Sequence, residues 1–121
     1  MAPVETQGTV YTTQSSGWYL TGKVAGQVID WIVDTGSEVT ILRSSLYRKL
    51  RECDPTEVGE LKTTSTRLLA ANGDPITVLG AAEIVCEVSN TGIPINVIVA
   101  DIGTDGLIGI DVRHSYLTAW T

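Results

Sequence analysis

The chain has 121 residues, a size that one hydrophobic core serves and that leaves no room for a second lobe. Hydrophobic residues at 43% and charged residues at 18% exclude a disordered chain, and Val, Ile and Thr fill 40 positions, which favours strands over helices. A formal charge of -6 with only eight scattered Lys and Arg argues against a surface that tracks phosphates, so nucleic acid is not an expected partner.

No apolar run approaches the roughly 20 residues that span a bilayer, and the N-terminus lacks a basic start followed by an apolar stretch. A soluble, intracellular chain without membrane contact is expected. Cys53 and Cys86 are too far apart for a two-residue metal knuckle and too few for a disulfide scaffold, so they are expected as reduced thiols, with no metal site.

Residues 1–16 are polar and irregular and are expected as an arm, leaving residues 17–121 as one domain. From Trp18 to Val24 the pattern is strand-like, Gly26 permits a turn, and Val28 to Val33 is a nearly continuous apolar run ending at Asp34. Val39 to Leu42 is again strand-like. Residues 44–50 predict a short helix with Ser44 as N-cap candidate. Residues 52–66 read as a polar connection with at most one strand. Arg67 to Ala71 and Pro75 to Leu79 flank Asn72-Gly73-Asp74, a strong hairpin signal. Ala82 to Val88 and Ile93 to Val99 predict two strands joined through Ser89-Asn90-Thr91-Gly92. Gly106-Leu107-Ile108-Gly109 precedes a second short helix over 110–116, and residues 117–121 can end extended.

Asp34 carries the chemical question. The end of an apolar strand is a costly place for a charge, so such an Asp is either a hydrogen-bonded turn residue or a group held for a purpose. The segment alone leaves both readings open.

Asp34-Thr35-Gly36-Ser37, with apolar residues before it, resembles the active-site loop of aspartic proteases. Leu107-Ile108-Gly109 is similar to the apolar-apolar-Gly segment that passes beside that loop in the same family, and the Asn72-Gly73 hairpin stands where the substrate-covering flap would be. One copy of the signature in a chain this short resembles the retropepsins, proteases of retroviruses and retrotransposons, and the Ala70-Ala71-Asn72-Gly73 flap is closest in flavour to gypsy-type retrotransposon proteases. The resemblance covers about residues 18 to 117.

It implies an all-β fold, a closed barrel with one or two short helices, assembled as a homodimer. It implies an aspartic endopeptidase acting on peptide or polyprotein substrates without a cofactor, in the cytoplasm or within a virus-like particle. Asp34, Thr35 and Gly36 then take catalytic positions, and Ser37, Glu38, Ala71, Asn72, Gly73, Asp74 and Ile108 are expected to line the substrate. The Ser37 hydroxyl is expected to donate to Asp34, giving a more acidic activity optimum than in Ser37→Ala.

Two positions depart from the retroviral pattern. Glu38 stands for the family's usual acid, but Ile110 stands where its Arg partner would be, which leaves Arg113 or substrate backbone as partner. The single Gly73 implies a flap of different mobility. Residues 117–121 are expected to interleave with a second copy in a shared sheet, with a frayed tail as the plainer alternative. His114 is expected at a surface or helix end, and Trp18, Trp31 and Trp120 in packing. Beside the protease stand two other functions: a catalytically silent dimerisation or peptide-binding module, and the protease domain of a cellular protein such as a ubiquitin-shuttle factor.

Overall fold

The computed structural model describes residues 19–34, 37–70 and 72–109. The predicted arm, the helix over 110–116 and the C-terminal strand lie outside these residues. The described part consists of β1 (Tyr19–Val24), β2 (Gln27–Val33), β3 (Ile41–Arg43), α1 (Ser44–Cys53), β4 (Leu68–Leu69), β5 (Pro75–Ile76), β6 (Val78–Val88), β7 (Thr91–Ala100) and β8 (Gly106–Ile108). Six strands close a barrel in the order β1-β2-β8-β3-β7-β6, and β4-β5 forms a separate two-stranded sheet. The expected all-β closed barrel with a short helix is borne out.

Two antiparallel hairpins supply most of the wall, β1 with β2 and β6 with β7. Each turns through two residues at positive φ: Ala25 and Gly26 at 51° and 79°, Ser89 and Asn90 at 50° and 66°. That pair of left-handed residues matches the right-handed twist of the flanking strands. Against this antiparallel frame, β2 pairs in parallel with β8 and β3 in parallel with β7. These parallel contacts join segments far apart in the chain.

Burial explains the two sequence patterns. In β6, Ala82, Ile84, Cys86 and Val88 point inward and alternate with exposed or half-buried neighbours. In β2, β3, β7 and β8, consecutive residues are buried on opposite faces: Trp31, Leu42, Val97, Val99 and Ile108 join the barrel core, while Ile32, Ile41, Ile98, Ala100 and Leu107 join a second apolar cluster outside it. A strand covered on both faces reads as a continuous apolar run rather than an alternation. Gly106 marks the tightest contact, because a Cβ there would sit 2.5 Å from the Trp31 ring.

Helix α1 lays Ser44, Tyr47 and Leu50 inward. Ser44 is not the N-cap: Arg43 holds that place in extended conformation without a side-chain cap, and the Ser44 hydroxyl donates to Asp101 Oδ1 instead. The helix follows β3 with no intervening turn, so the cap position falls on the strand's last residue. The connection after α1 forms no strand. It bridges β6 at Val58↔Ile84 and Lys62↔Ala81, with Gly59 N–H donating to Glu83 O at 2.8 Å and Lys62 N–H to Ala81 O at 2.7 Å. β1 reaches only Cys86 and Glu87, so these bridges occupy backbone groups of β6 that would otherwise be an open edge. Neither cysteine forms a disulfide; Cys53 is exposed and Cys86 buried.

Candidate active site

Asp34 follows the last residue of β2 and is only 6% exposed. Its N–H donates to the Ile108 carbonyl at 3.1 Å, which carries the β2–β8 ladder one residue past the strand and fixes where the loop begins. Ser37 N–H returns to the Asp34 carbonyl at 3.2 Å, closing a tight turn. The Ser37 hydroxyl donates to Val39 O at 2.5 Å and accepts from Val39 N–H at 3.3 Å. From the other side Gly109 N–H donates to the Thr40 hydroxyl at 3.2 Å. A Cβ on Gly109 would lie 2.4 Å from Val39 O and 2.8 Å from Ser37 O, so only glycine lets the end of β8 pass this close to the loop.

Among the described residues the buried polar side chains are Asp34, Ser37, Thr40 and Ser44. Three of these four lie in residues 34–40, where backbone partners of the Ser37 and Thr40 hydroxyls offset the cost of burying those two side chains. This concentration of polar groups inside an otherwise apolar barrel makes the loop the candidate site.

The hairpin expected around Asn72-Gly73-Asp74 is present. Ala70 N–H donates to Asp74 O at 2.8 Å and Gly73 N–H to Ala70 O at 2.9 Å, so the loop is three residues long, with Gly73 at φ 90°. Asn72 Oδ1 accepts from Asp74 N–H at 2.9 Å, an Asx turn that selects this loop over a two-residue one. The paired arms are only two residues each, because Val78 and Leu79 belong to β6. Asn72, Gly73 and Asp74 are exposed at the tip. Leu68, at the hairpin base, is buried in the outer apolar cluster and ties the hairpin to the barrel.

A cavity of about 220 Å³ lies between hairpin and barrel, walled by Ile32, Ile76, Ile102 and Leu107 with Asp101 and Thr104 at its polar side. Ile32 is two residues before Asp34. A larger groove of about 620 Å³, lined by residues 61–67 and the start of β6, includes none of the loop residues. Through Ile32 the smaller cavity shares β2 with the candidate carboxylate.

Several expected site residues need correction. Ser37 is fully buried, and its one proton goes to Val39 O rather than to Asp34, so the basis for an acid-shifted optimum is absent. Ile108 is fully buried in the barrel core and offers the site its carbonyl, not its side chain. Glu38 is exposed, and the ion pair formed among the described residues is Arg51–Glu60 at 3.9 Å. Thr35, Gly36, Ala71, Ile110 and Arg113 lie outside the described residues. Sequence reasoning did not assign roles to Thr40, Gly109 or the cavity walls. The apolar-apolar-Gly pattern did mark Gly109, but Thr40 carries no local signal.

No protein-family model matches the sequence. Solved structures do. EIAV protease complexed with the inhibitor HBY-793 aligns with a TM-score of 0.66 at 16% identity, covering 87% of this chain and 94% of that one. The retroviral protease-like domain of Ddi1 from Leishmania major aligns at 0.60 and 18% identity, over 82% of this chain and 76% of that one. A retropepsin-like aspartic protease from Rickettsia conorii aligns at 0.52 and 18%, over 80% and 69%. The barrel is therefore the single-lobed acid-protease fold. The chain has the retropepsin fold.

Proposed function

We propose that this chain is one subunit of a homodimeric aspartic endopeptidase, with Asp34 of each copy supplying one of two catalytic carboxylates. The observation that carries the reading is a nearly buried carboxylate at the end of an apolar strand, its loop clamped by Ile108, Gly109 and Thr40, in the retropepsin fold.

Peptide hydrolysis without a covalent intermediate needs a base to activate water and an acid to protonate the tetrahedral species. One carboxylate does not do both at once. Two carboxylates a few Å apart share a proton, the behaviour for which aspartic proteases are the standard example. A two-fold axis through the loop brings Asp34 against Asp34 of the partner subunit. The ionised one takes a proton from the bridging water, and the protonated one polarises the scissile carbonyl. Thr35 and Gly36, the next residues of the signature, take the remaining catalytic positions that the resemblance implies. The exposed hairpin tip at Asn72-Gly73-Asp74 closes over an extended peptide. Polyprotein processing is the biological setting this implies. The likeness to the Ddi1 domain supports a second setting, a domain of a cellular protein, with the same chemistry.

Asp34→Asn tests the reading on a peptide library from about pH 4 to about 7, with a statine-type inhibitor as control. A loss of about a hundredfold to ten-thousandfold in kcat/KM is expected. Retained activity in Asp34→Asn, or hydrolysis by a chain that sediments as a strict monomer, would defeat it.

A further inference from the structure

We propose that Asp101 turns the cavity between hairpin and barrel into a subsite for a cationic side chain, so that peptides carrying Lys or Arg there are preferred over their uncharged isosteres. The inference rests on the reading of the cavity as a peptide subsite and adds the substrate class.

The cavity is small. Its roughly 220 Å³ falls below the ~300–1,000 Å³ of sites that enclose a small molecule, so it suits one side chain. Ile32, Ile76, Ile102 and Leu107 give it apolar walls, and Asp101 is the ionisable residue among those lining it. The residue is held at two points, one on its carboxylate and one on its backbone. Its Oδ1 accepts from the Ser44 hydroxyl, and Ser44, at the first turn of α1, is 5% exposed. Asp101 N–H donates to the Thr77 carbonyl at 2.9 Å, anchoring the backbone beside the hairpin's return strand. Among the described residues Arg43 is brought near by register, its strand partner being Ala100, and no ion pair links it to Asp101.

An acid fixed beside an apolar slot matches a side chain with an apolar stem and a cationic head. Lysine and arginine lay their methylenes along hydrophobic walls while the charge reaches a polar rim. A purely aliphatic side chain would fill the walls and leave the carboxylate uncompensated by any ligand charge. Because Asp101 is itself exposed, the preference is modest and sensitive to salt.

The test measures binding rather than turnover. Fluorescent peptides identical except for Lys or norleucine beside the scissile bond are titrated against Asp34→Asn protein, in which bound peptide is not consumed. The lysine peptide should bind about two- to fivefold tighter at low salt. That preference should collapse towards unity in the Asp34→Asn/Asp101→Asn double variant and in about 1 M NaCl. The Asn side chain keeps an Oδ1 acceptor for Ser44, so charge is removed without removing the hydrogen bond. Should the double variant fail to fold, the salt dependence with Asp101 intact decides the matter. Equal binding of both peptides at low salt, a preference that survives Asp101→Asn, or no binding of either peptide would overturn the proposal. The two readings fail separately. Cation preference in binding without any hydrolysis by the unaltered chain removes the protease and keeps the subsite, whereas hydrolysis without cation preference does the reverse.

Discussion

The barrel's inner core and the apolar cluster outside it are built from alternate residues of the same strands, yet they differ in how completely they are closed. Inside, Val24, Ile29, Trp31, Leu42, Ile84 and Ile108 are fully sealed by six strands and α1. Outside, Ile32, Val39, Ile98 and Ile102 keep between 7% and 9% exposure, and among the described residues Leu68, Ile76, Val78 and Ala81 pack against them. The inner cluster defines the fold. The outer one is left partly open, and the cavity walls Ile32, Ile102 and Leu107 come from it. On the proposed function, the inner set of side chains supplies stability and the outer set supplies the peptide-binding surface.

Core truncation tests that division most severely. Ile84→Ala should cost about 2–5 kcal/mol in urea unfolding, because the cavity it leaves is enclosed on every side. Ile102→Ala should cost clearly less, about 1 kcal/mol, while raising KM for peptides. Equal stability losses for the two would erase the distinction. Gly109→Ala comes next, at about 1–3 kcal/mol, since its methyl group would meet the Val39 backbone at 2.4 Å and push the Asp34 loop out of place. Activity should fall further than stability. Ser37→Ala should cost about 1 kcal/mol by leaving the Val39 N–H and carbonyl without their hydroxyl partner, read by thermal unfolding.

The smallest effect lies in the turn after α1. The Thr56 hydroxyl, aided by the N–H groups of Thr56 and Glu57, holds the Asp54 carboxyl below the usual carboxylate range, and desolvation opposes them only in part. A folded value depressed below the unfolded one contributes stability above the ordinary Asp value and loses it as pH falls through the lowered one. Thr56→Val should therefore be slightly less stable than the parent at neutral pH. The difference should shrink in acid, and a pH-independent difference would show that the carboxylate is not involved.

Local pattern was enough for the elements that local interactions control. The β1–β2 and β6–β7 hairpins follow from apolar runs flanking residues able to turn, and α1 from apolar spacing over 44–50. Where a neighbour distant in sequence competes for the same group, local reading failed. Ser44 was expected to cap its helix, but Asp101 takes its hydroxyl. Ser37 was expected to serve Asp34, but Val39 takes its proton. The Asn72-Gly73 pair marked a hairpin correctly, while the loop length depended on an Asx bond to Asp74.

The sequence by itself determined that this is a strand-rich chain with a carboxylate at the end of an apolar strand, because hydrophobic periodicity and turn chemistry act over a few residues. Only tertiary structure decided what surrounds that carboxylate. The parallel pairing of β2 with β8 brings Ile108 and Gly109 against the Asp34 loop, and the fold of β7 and α1 sets Asp101 beside Ile32 and Leu107. Such contacts join residues tens of positions apart, and their geometry is fixed by packing across the barrel rather than by neighbours in the chain.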